Sequence, residues 1–154
     1  MANLNALAGE LWPESLINLL ETAGEVAHDL GFSLYIVGGA VRDLLLGRAN
    51  LDLDLVVEGN GVEVARQMAA RFNARLVGHN RFGTATLYPD GKGRDIITAR
   101  REDYPHPGAL PVVQPSNLAD DLFRRDFTIN TLAMKVDPGP FGELIDTHGG
   151  WQDL

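Results

Sequence analysis

The sequence predicts a mixed α/β (α+β) domain in which a small twisted sheet is backed by helices. An amphipathic helical pattern over residues 13–30 comes first, a compact strand-like segment over residues 32–37 follows, and further helical and strand-like segments alternate after it. A length of 154 residues suits one domain with one core. We therefore expect an N-terminal helical segment over residues 1–30 and a main domain over residues 31–154.

Composition narrows the class of protein. The chain is 45% hydrophobic and 22% charged, as in ordinary globular domains, and it has no cysteine for a disulfide or a cysteine-ligated zinc site. It has no apolar run long enough to cross a bilayer and no secretory signal pattern, so we expect a cytoplasmic protein. The formal net charge of -8 argues against a surface that binds nucleic acid over its whole extent. A local basic cleft and a solvated face are both consistent with the clustered arginines, which are Arg94, Arg100, Arg101, Arg124 and Arg125.

The first helix is predicted over residues 13–30 because its apolar residues recur near a period of 3.6. Pro13 stands at its start, where a missing N–H costs nothing, and Gly31 stands just past its end, as in a helix C-cap. We expect its apolar stripe to pack on the sheet of the same chain, and packing on a second copy of the chain is the alternative.

The elements that follow are shorter. A strand over residues 32–37 ends at two glycines, and a helix over residues 40–46 begins after them. Residues 103–117 are rich in proline and predict a loop. Either Ser116 or Asn117 is placed to cap a helix that we expect to run through residues 118–134. The other predicted elements are a strand over 51–57, a helix over 60–72, strands over 75–77, 84–88 and 95–99, turns at 89–91 and 137–142, and a short strand over 143–146.

Two carboxylates alternate with leucines in the predicted strand over residues 51–57. Asp52 and Asp54 would lie on one face of that strand, about 6–7 Å apart at a rise of about 3.3 Å per residue. Such a pair suits Mg²⁺, which binds one or two carboxylates together with substrate phosphates, and two such ions can support an in-line phosphoryl displacement. A half-exposed strand shows the same alternation, so the pair alone leaves both interpretations open.

A glycine pair lies about ten residues before these carboxylates. Gly38 and Gly39 follow a strand and open a helix, an arrangement that lets a phosphate approach backbone N–H groups closely. Arg42, one turn into the helix, is placed to reach the same phosphate with a bidentate guanidinium. Asp43 is expected to be structural, paired with Arg42 or with a backbone donor. A plain tight turn is the alternative for the glycine pair, but its combination with Asp52 and Asp54 favours a phosphate site.

The residues in this region resemble a known family. The stretch GGAVRDLLLGRANLDLDLV (38–56) is similar to the signature of class II CCA-adding tRNA nucleotidyltransferases and bacterial poly(A) polymerases, which have the polymerase-beta-type nucleotidyltransferase fold. The stretch LADDLFRRDFTINTLAM (118–134) is similar to their next motif. Three shorter stretches also resemble the family: ITARREDY (97–104), GALPVV (108–113) and ELIDTHGGWQDL (143–154).

The resemblance implies a function and a site. It implies an RNA nucleotidyltransferase head domain over residues 31–154 that uses ATP or CTP, two Mg²⁺ ions and the 3′ end of a tRNA or another RNA. Asp52 and Asp54 would bind the metals, and Asp95 would be a third carboxylate, with a plain surface role as the alternative. Arg100 would meet phosphate or would pair with Glu102 or Asp103. Nucleotide contacts would come from Gly38, Gly39, Arg42, Arg125 and Asn130, whereas His79, His106 and His148 would be surface residues.

The resemblance also implies what a separate head would lack. In the family the head is followed by helical neck, body and tail domains, which select the base and grip the tRNA, and we expect the present chain to end before them. It would then bind RNA weakly and choose poorly between CTP and ATP. Two alternatives remain: a nucleotide-binding module without turnover of its own, and a nucleotidyltransferase that acts on a small molecule. The family's choice among CCA, CC, A and poly(A) addition is not predicted by the sequence.

Overall fold

The computed structural model describes residues 3–79, 83–125 and 130–154, with only the backbone described at residue 79. Within them lie five α-helices: α1 Asn5–Leu11, α2 Glu14–Asp29, α3 Gly39–Leu45, α4 Gly61–Phe72 and α5 Leu118–Phe123. The described strands are β1 Ser33–Val37, β2 Asp54–Glu58, β3 Arg75–His79, β4 Thr84–Tyr88, β5 Arg94–Thr98, β6 Arg100–Asp103, β7 Val112–Pro115, β8 Ala133–Lys135 and β9 Leu144–Ile145.

Seven strands form one mixed sheet in the order β3-β4-β5-β2-β1-β8-β9. Strands β2 and β5 run parallel, and the other neighbours in this sheet are antiparallel. Because β1 runs against β2 and β8, and β5 runs with β2, the end of β1 lies at the same edge of the sheet as the starts of β2, β5 and β8. The predicted mixed sheet backed by helices is confirmed.

One face of the sheet carries the main hydrophobic core. Helix α2 packs on β1 and α4, and its apolar stripe is buried, with Leu20, Ala23 and Ala27 each 0% exposed. The close packing requires a glycine at position 24, because a Cβ there would lie 2.3 Å from the carbonyl oxygen of Val136. The stripe of the first predicted helix therefore packs within its own chain, as expected.

Helix α5 covers the middle of the other face. Its Leu118 and Leu122 join a second, smaller cluster with Tyr35, Val37 and Val56. Strand β2 is consequently buried on both sides after Asp54, because Leu55 and Val57 face the main core while Val56 faces α5. Its outward-facing position Asp54 is thus an exception within a buried strand.

The predicted helix over residues 118–134 is wrong beyond its first turns. Helix α5 ends at Phe123, and Ala133–Lys135 form β8, which pairs with β1 and β9. Residues 126–129 of the predicted helix lie outside the described residues. The short apolar run at 132–134 fits both a helix and a strand. It forms a strand here because the edge of β1 offers backbone hydrogen bonds to a neighbouring strand. The cap is as predicted, since the Asn117 side chain accepts from the N–H of Asp120.

Three further details differ from the sequence-based expectations. The predicted loop over 103–117 contains β7, which pairs with β6 in a separate hairpin. Helix α1 was not predicted, since it spans only seven residues. The predicted strand over 51–57 begins at Asp54, and Asp52 lies in the segment before it.

The N-terminal residues share the core of the sheet. Leu4 and Ala8 are buried in the main core, and the Leu4 N–H donates to the carbonyl of Gly142. The division at residue 30 stays a prediction. Over the part of the chain that the structure describes, no helix is both long and apolar enough to span a membrane.

Candidate functional site

The predicted site residues lie at the sheet edge where β1 ends and β2, β5 and β8 begin. Gly38 follows β1 directly, Asp54 is the first residue of β2, and Asp95 is the second residue of β5. The Gly38 N–H donates to the carbonyl of Leu132 just before β8, over 3.2 Å. Chain segments that are far apart in sequence therefore meet at this edge because of the strand order.

Two carboxylates lie side by side on the sheet. Asp54 pairs with Asp95 in the parallel register of β2 and β5, where neighbouring strands are about 4.8 Å apart. The hydroxyl of Thr86 on β4 donates to Asp95 Oδ1 over 2.7 Å. Asp52 is exposed and precedes the strand, but buried Leu53 still separates it from Asp54, so the predicted alternation is retained.

The surroundings of Asp54 raise the pKa of its carboxyl group. Partial desolvation by the surrounding protein and the negative charges of Asp95 and Asp52 raise the pKa of Asp54, although its side chain is reached by solvent, and the Arg125 guanidinium opposes this shift. Among the described residues, no donor is hydrogen-bonded to the carboxylate of Asp52 or of Asp54. Likewise, no cluster of three or more metal-ligating side chains in those residues is arranged to hold an ion by itself. Within the described part of the chain, the oxygens of Asp52 and Asp54 are therefore without a hydrogen-bond donor.

The glycine pair lets two guanidinium groups approach the backbone. Gly38 has a φ of 80°, which favours glycine, and a Cβ there would lie 3.9 Å from Arg125 Nη1. A Cβ on Gly39 would lie 3.1 Å from Arg42 Nη2. The first N–H groups of α3 begin at the same turn and have no partner within the helix. The turn thus combines backbone donors with cations on both sides.

Arg42 is held in place by hydrogen bonds on two sides. Its Nη1 donates to Asn130 Oδ1 over 3.1 Å, and its Nε donates to Asp43 Oδ1 over 3.0 Å. The hydrogen bond from Arg42 and a second from Asn50 hold the pKa of Asp43 below its usual range. Asn50 also accepts from the N–H of Asp52 over 3.0 Å. The structural role expected for Asp43 is confirmed. Sequence reasoning missed Asn50. The available signal was its position, because an Asn side chain often accepts from the backbone N–H two residues later.

Arg125 is held by a residue that sequence reasoning also missed. Asp121 in α5 is 0% exposed, and its Oδ1 accepts from Arg125 Nη2 over 3.1 Å. The available signal was the spacing: Asp121 stands four residues before Arg125 in a segment predicted as a helix, and residues four apart on a helix can form an ion pair. Arg100 lies 3.3 Å from Glu102, one of the two pairings that the sequence left open.

The structure places every predicted site residue on this edge or in direct contact with it. Contacts or paired positions connect all of the predicted residues, which are Gly38, Gly39, Arg42, Asp52, Asp54, Asp95, Arg125 and Asn130. His106 and His148 are exposed, as expected, and the side chain of His79 lies outside the described part of the chain.

Comparison with known proteins decides the family. The model of the poly A polymerase head domain family matches residues 34–154. The chain belongs to this family. A solved structure of a CCA-adding enzyme in apo form II superposes on the head domain with a TM-score of 0.91 and 42% identity, covering 99% of the chain and 36% of that structure's chain. The polymerase-beta-type fold that the resemblance implied is confirmed.

The relatives act on tRNA. The head domain is 48% identical over 143 residues to an A-adding tRNA nucleotidyltransferase of Geobacter sulfurreducens, covering 92% of the chain and 16% of the relative. It is 48% identical over 122 residues to a CC-adding tRNA nucleotidyltransferase of Deinococcus radiodurans, covering 79% of the chain and 33% of the relative. A tRNA nucleotidyltransferase solved with a primer tRNA and an incoming ATP analog is 42% identical with a TM-score of 0.74, covering 85% of the head domain and 36% of that chain. The head domain thus spans about a third or less of the length of these proteins.

Proposed function

We propose that the chain is the catalytic head of an RNA nucleotidyltransferase that adds CMP or AMP from CTP or ATP to the 3′ end of tRNA without a template. The 3′-hydroxyl oxygen of the RNA attacks the α-phosphorus, the bond from that phosphorus to the bridging oxygen breaks, and pyrophosphate leaves. The observation that carries the proposal is the pairing of Asp54 with Asp95 beside the Gly38 turn, where Arg125 also lies. The tRNA and the ATP analog bound by the solved relative support the substrates. We place the activity in the cytoplasm.

The nucleotide side of the site follows from the cations and donors around the turn. Arg42 and Arg125 lie against Gly39 and Gly38, so two guanidinium groups and the backbone N–H groups are available to the triphosphate. The Asn130 Oδ1 atom accepts from Arg42, and the NH₂ group of the same side chain would donate to the sugar of the nucleotide. When the triphosphate is held in one orientation, its translational and rotational freedom is lost on binding and not in the chemical step, which lowers the barrier of that step.

The carboxylate side of the site fits Mg²⁺. Asp52 and Asp54 have oxygens that no described donor occupies, and desolvation together with the charges of Asp95 and Asp52 raises the pKa of Asp54, as expected where carboxylates lie together without a bound cation. Because Mg²⁺ usually takes one or two carboxylates and completes its shell with water and phosphate, a site without a cluster of three protein ligands is suitable. Two bound ions would lower the pKa of the attacking hydroxyl and neutralise the charge on the leaving oxygens.

Asp95 is placed for a third role. It lies next to Asp54 and accepts one hydrogen bond from Thr86, which fixes the orientation of its carboxylate. A fixed carboxylate at this position would accept the proton of the attacking hydroxyl or complete a metal shell. Thr86→Val would test whether the orientation of Asp95 matters apart from its charge. The variant keeps the shape of the Thr86 side chain and the charge of Asp95, and it removes the hydrogen bond between them.

Sequence similarity in the head domain does not indicate whether the chain uses CTP or ATP. The identity to an A-adding relative and to a CC-adding relative is the same, 48%. The proposal therefore covers both nucleotides.

The test is extension of a tRNA that ends before its CCA sequence, with labelled CTP or ATP and Mg²⁺. We expect a labelled product one or more nucleotides longer, and we expect Asp54→Asn to abolish it. Glu58→Gln is the matched control, since it changes a carboxylate of the same strand at the opposite edge. Nucleotide binding without extension would indicate a binding module, and transfer to a small alcohol acceptor but not to tRNA would indicate the small-molecule class.

A further inference from the structure

Asp121 is a buried carboxylate that none of the roles above uses. It is 0% exposed and lies in α5, one turn before Arg124 and Arg125. A buried charge is costly unless it is paired and hydrogen-bonded, so the partners of Asp121 indicate what the carboxylate does.

Both oxygens of Asp121 are occupied, and they have different partners. Oδ2 accepts from the backbone N–H of Arg100 over 3.1 Å and lies 3.5 Å from Arg124 Nη2. Oδ1 accepts from Arg125 Nη2 over 3.1 Å. One oxygen therefore ties α5 to the start of β6, and the other holds the guanidinium of Arg125.

The two neighbouring arginines, Arg100 and Arg124, lie beside a second carboxylate. Glu102 lies 3.3 Å from the Arg100 guanidinium and 4.0 Å from that of Arg124. Among the described residues, Arg125 has no second carboxylate in ion-pair contact, and its Nε is buried without an acceptor.

The Nη1 end of the Arg125 guanidinium lies next to the turn formed by Gly38 and Gly39. Its Nη1 lies 3.9 Å from where a Cβ of Gly38 would be, and its charge lowers the pKa of Asp54 against the other influences. Nη2 is held by Asp121 at the same time. The planar guanidinium is thus held at one end, and no acceptor among the described residues is hydrogen-bonded to Nη1 at the other.

We infer that Asp121 is a positioning residue, which holds Arg125 so that its open N–H groups meet the triphosphate of the incoming nucleotide. The inference rests on the proposed function, because it takes Arg125 as a nucleotide contact. The competing explanation is that Asp121 only docks α5 on the domain. The two differ in one respect: a positioning residue acts on nucleotide affinity through Arg125, and a docking residue acts without it.

A double-mutant cycle on Mg-ATP affinity, measured by calorimetry on the chain, separates the two explanations. We expect Asp121→Asn to weaken ATP binding about ten-fold, since it removes a charge-assisted hydrogen bond to Arg125. In an Arg125→Ala background the same change should have almost no further effect. Losses that multiply in the double variant would overturn the inference.

Glu58→Ala is the control for docking. The Glu58 Oε2 atom accepts from the N–H of Leu118 at the start of α5, far from Arg125 along the helix. It weakens the attachment of α5 without touching the guanidinium, so ATP affinity should stay within about two-fold of the parent. A loss as large as that of Asp121→Asn would assign the effect to docking.

Chemical rescue tests the same idea without changing Asp121. In Arg125→Ala, added guanidinium ion at tens of millimolar should bind beside Asp121 and restore ATP affinity, whereas equal sodium chloride should not. This experiment decides the matter even where Asp121→Asn does not fold, and absence of rescue contradicts the inference. The proposed function fails separately, by absence of tRNA extension in the parent chain, and a chain that binds no ATP would overturn both.

Discussion

Strand β2 has a carboxylate at each end, Asp54 at its start and Glu58 at its last residue, and the two have opposite surroundings. Glu58 Oε1 accepts from the Tyr35 hydroxyl over 2.8 Å, and its Oε2 accepts from the Leu118 N–H over 2.8 Å. The carboxylate of Asp54 has no such donor among the described residues, and its nearest partner across the parallel pair is another carboxylate, Asp95.

The difference has visible effects on the titrating groups. Burial, followed by the hydrogen bond and charge of Glu58, raises the pKa of Tyr35, so its hydroxyl stays a donor at neutral pH. At the other end, desolvation and Asp95 raise the pKa of Asp54. Chemically similar side chains, four residues apart on one strand, thus stabilise the fold at one edge and remain available to a ligand at the other. The comparison teaches that the neighbours supplied by the strand order decide the role of a carboxylate here.

The largest expected difference between the two ends is in activity. Asp54→Asn should lower nucleotide incorporation into tRNA by about a thousand-fold or more, because under the proposed function it removes a ligand of the Mg²⁺ at the reacting phosphate. Glu58→Gln should stay near the parent rate. The measurement is initial rate at saturating Mg²⁺, with circular dichroism to confirm folding, and comparable rates for both variants would remove the distinction.

The second largest difference is in stability. Glu58→Ala leaves the Tyr35 hydroxyl and the Leu118 N–H without their acceptor and should cost about 2 kcal/mol of unfolding free energy. Asp54→Ala removes no hydrogen bond and should cost little. Urea denaturation of the two variants checks this, and equal losses would show that the Glu58 contacts contribute nothing.

The glycines at the two edges sharpen the comparison further. Gly59, just after β2, has a φ of 148°, and a Cβ there would lie 2.3 Å from the Phe32 ring, so Gly59→Ala should cost about 1–3 kcal/mol of stability. Gly38→Ala puts a side chain on a residue with a positive φ, which strains the backbone at the turn after β1, and it should also weaken ATP binding. Paired measurements of melting and ATP affinity should therefore show a stability loss in both variants and an affinity loss only at Gly38.

The smallest expected effect is the pH dependence of stability at the Asp54 end. A carboxyl whose folded pKa is raised above its ordinary value of 3.8 contributes stability that is complete below that value and is lost as pH rises through the folded pKa. Asp54→Asn should therefore gain about 0.5 kcal/mol or less on the parent between pH 3.5 and 7, since solvent screens the side chain. Mg²⁺ should raise the melting temperature of the parent at pH 7, chelation should reverse this, and the variant should respond to neither.

The sequence predicted the site more fully than it predicted the elements around it. The alternation of Asp52 and Asp54, the glycine pair and Arg42 are local patterns whose chemistry can be read directly, and the structure places them together. Asp121 and Asn50 were missed because their roles depend on partners brought near by folding. The helix predicted over residues 118–134 was wrong for a related reason: the short apolar run before Lys135 fits a helix or a strand, and its neighbours decide which.

The sequence by itself determined most of the helices and strands, the glycine turn after β1 and the carboxylate pair, since these depend on side-chain type and spacing along the chain. Only the tertiary structure decided that Asp95 lies beside Asp54, that Arg125 reaches Gly38, and that Asp121 holds Arg125. The first two contacts join residues 41 and 87 positions apart, and the third depends on the complete burial of Asp121. They arise because a mixed sheet brings the end of one strand to the starts of three others, which no local pattern specifies.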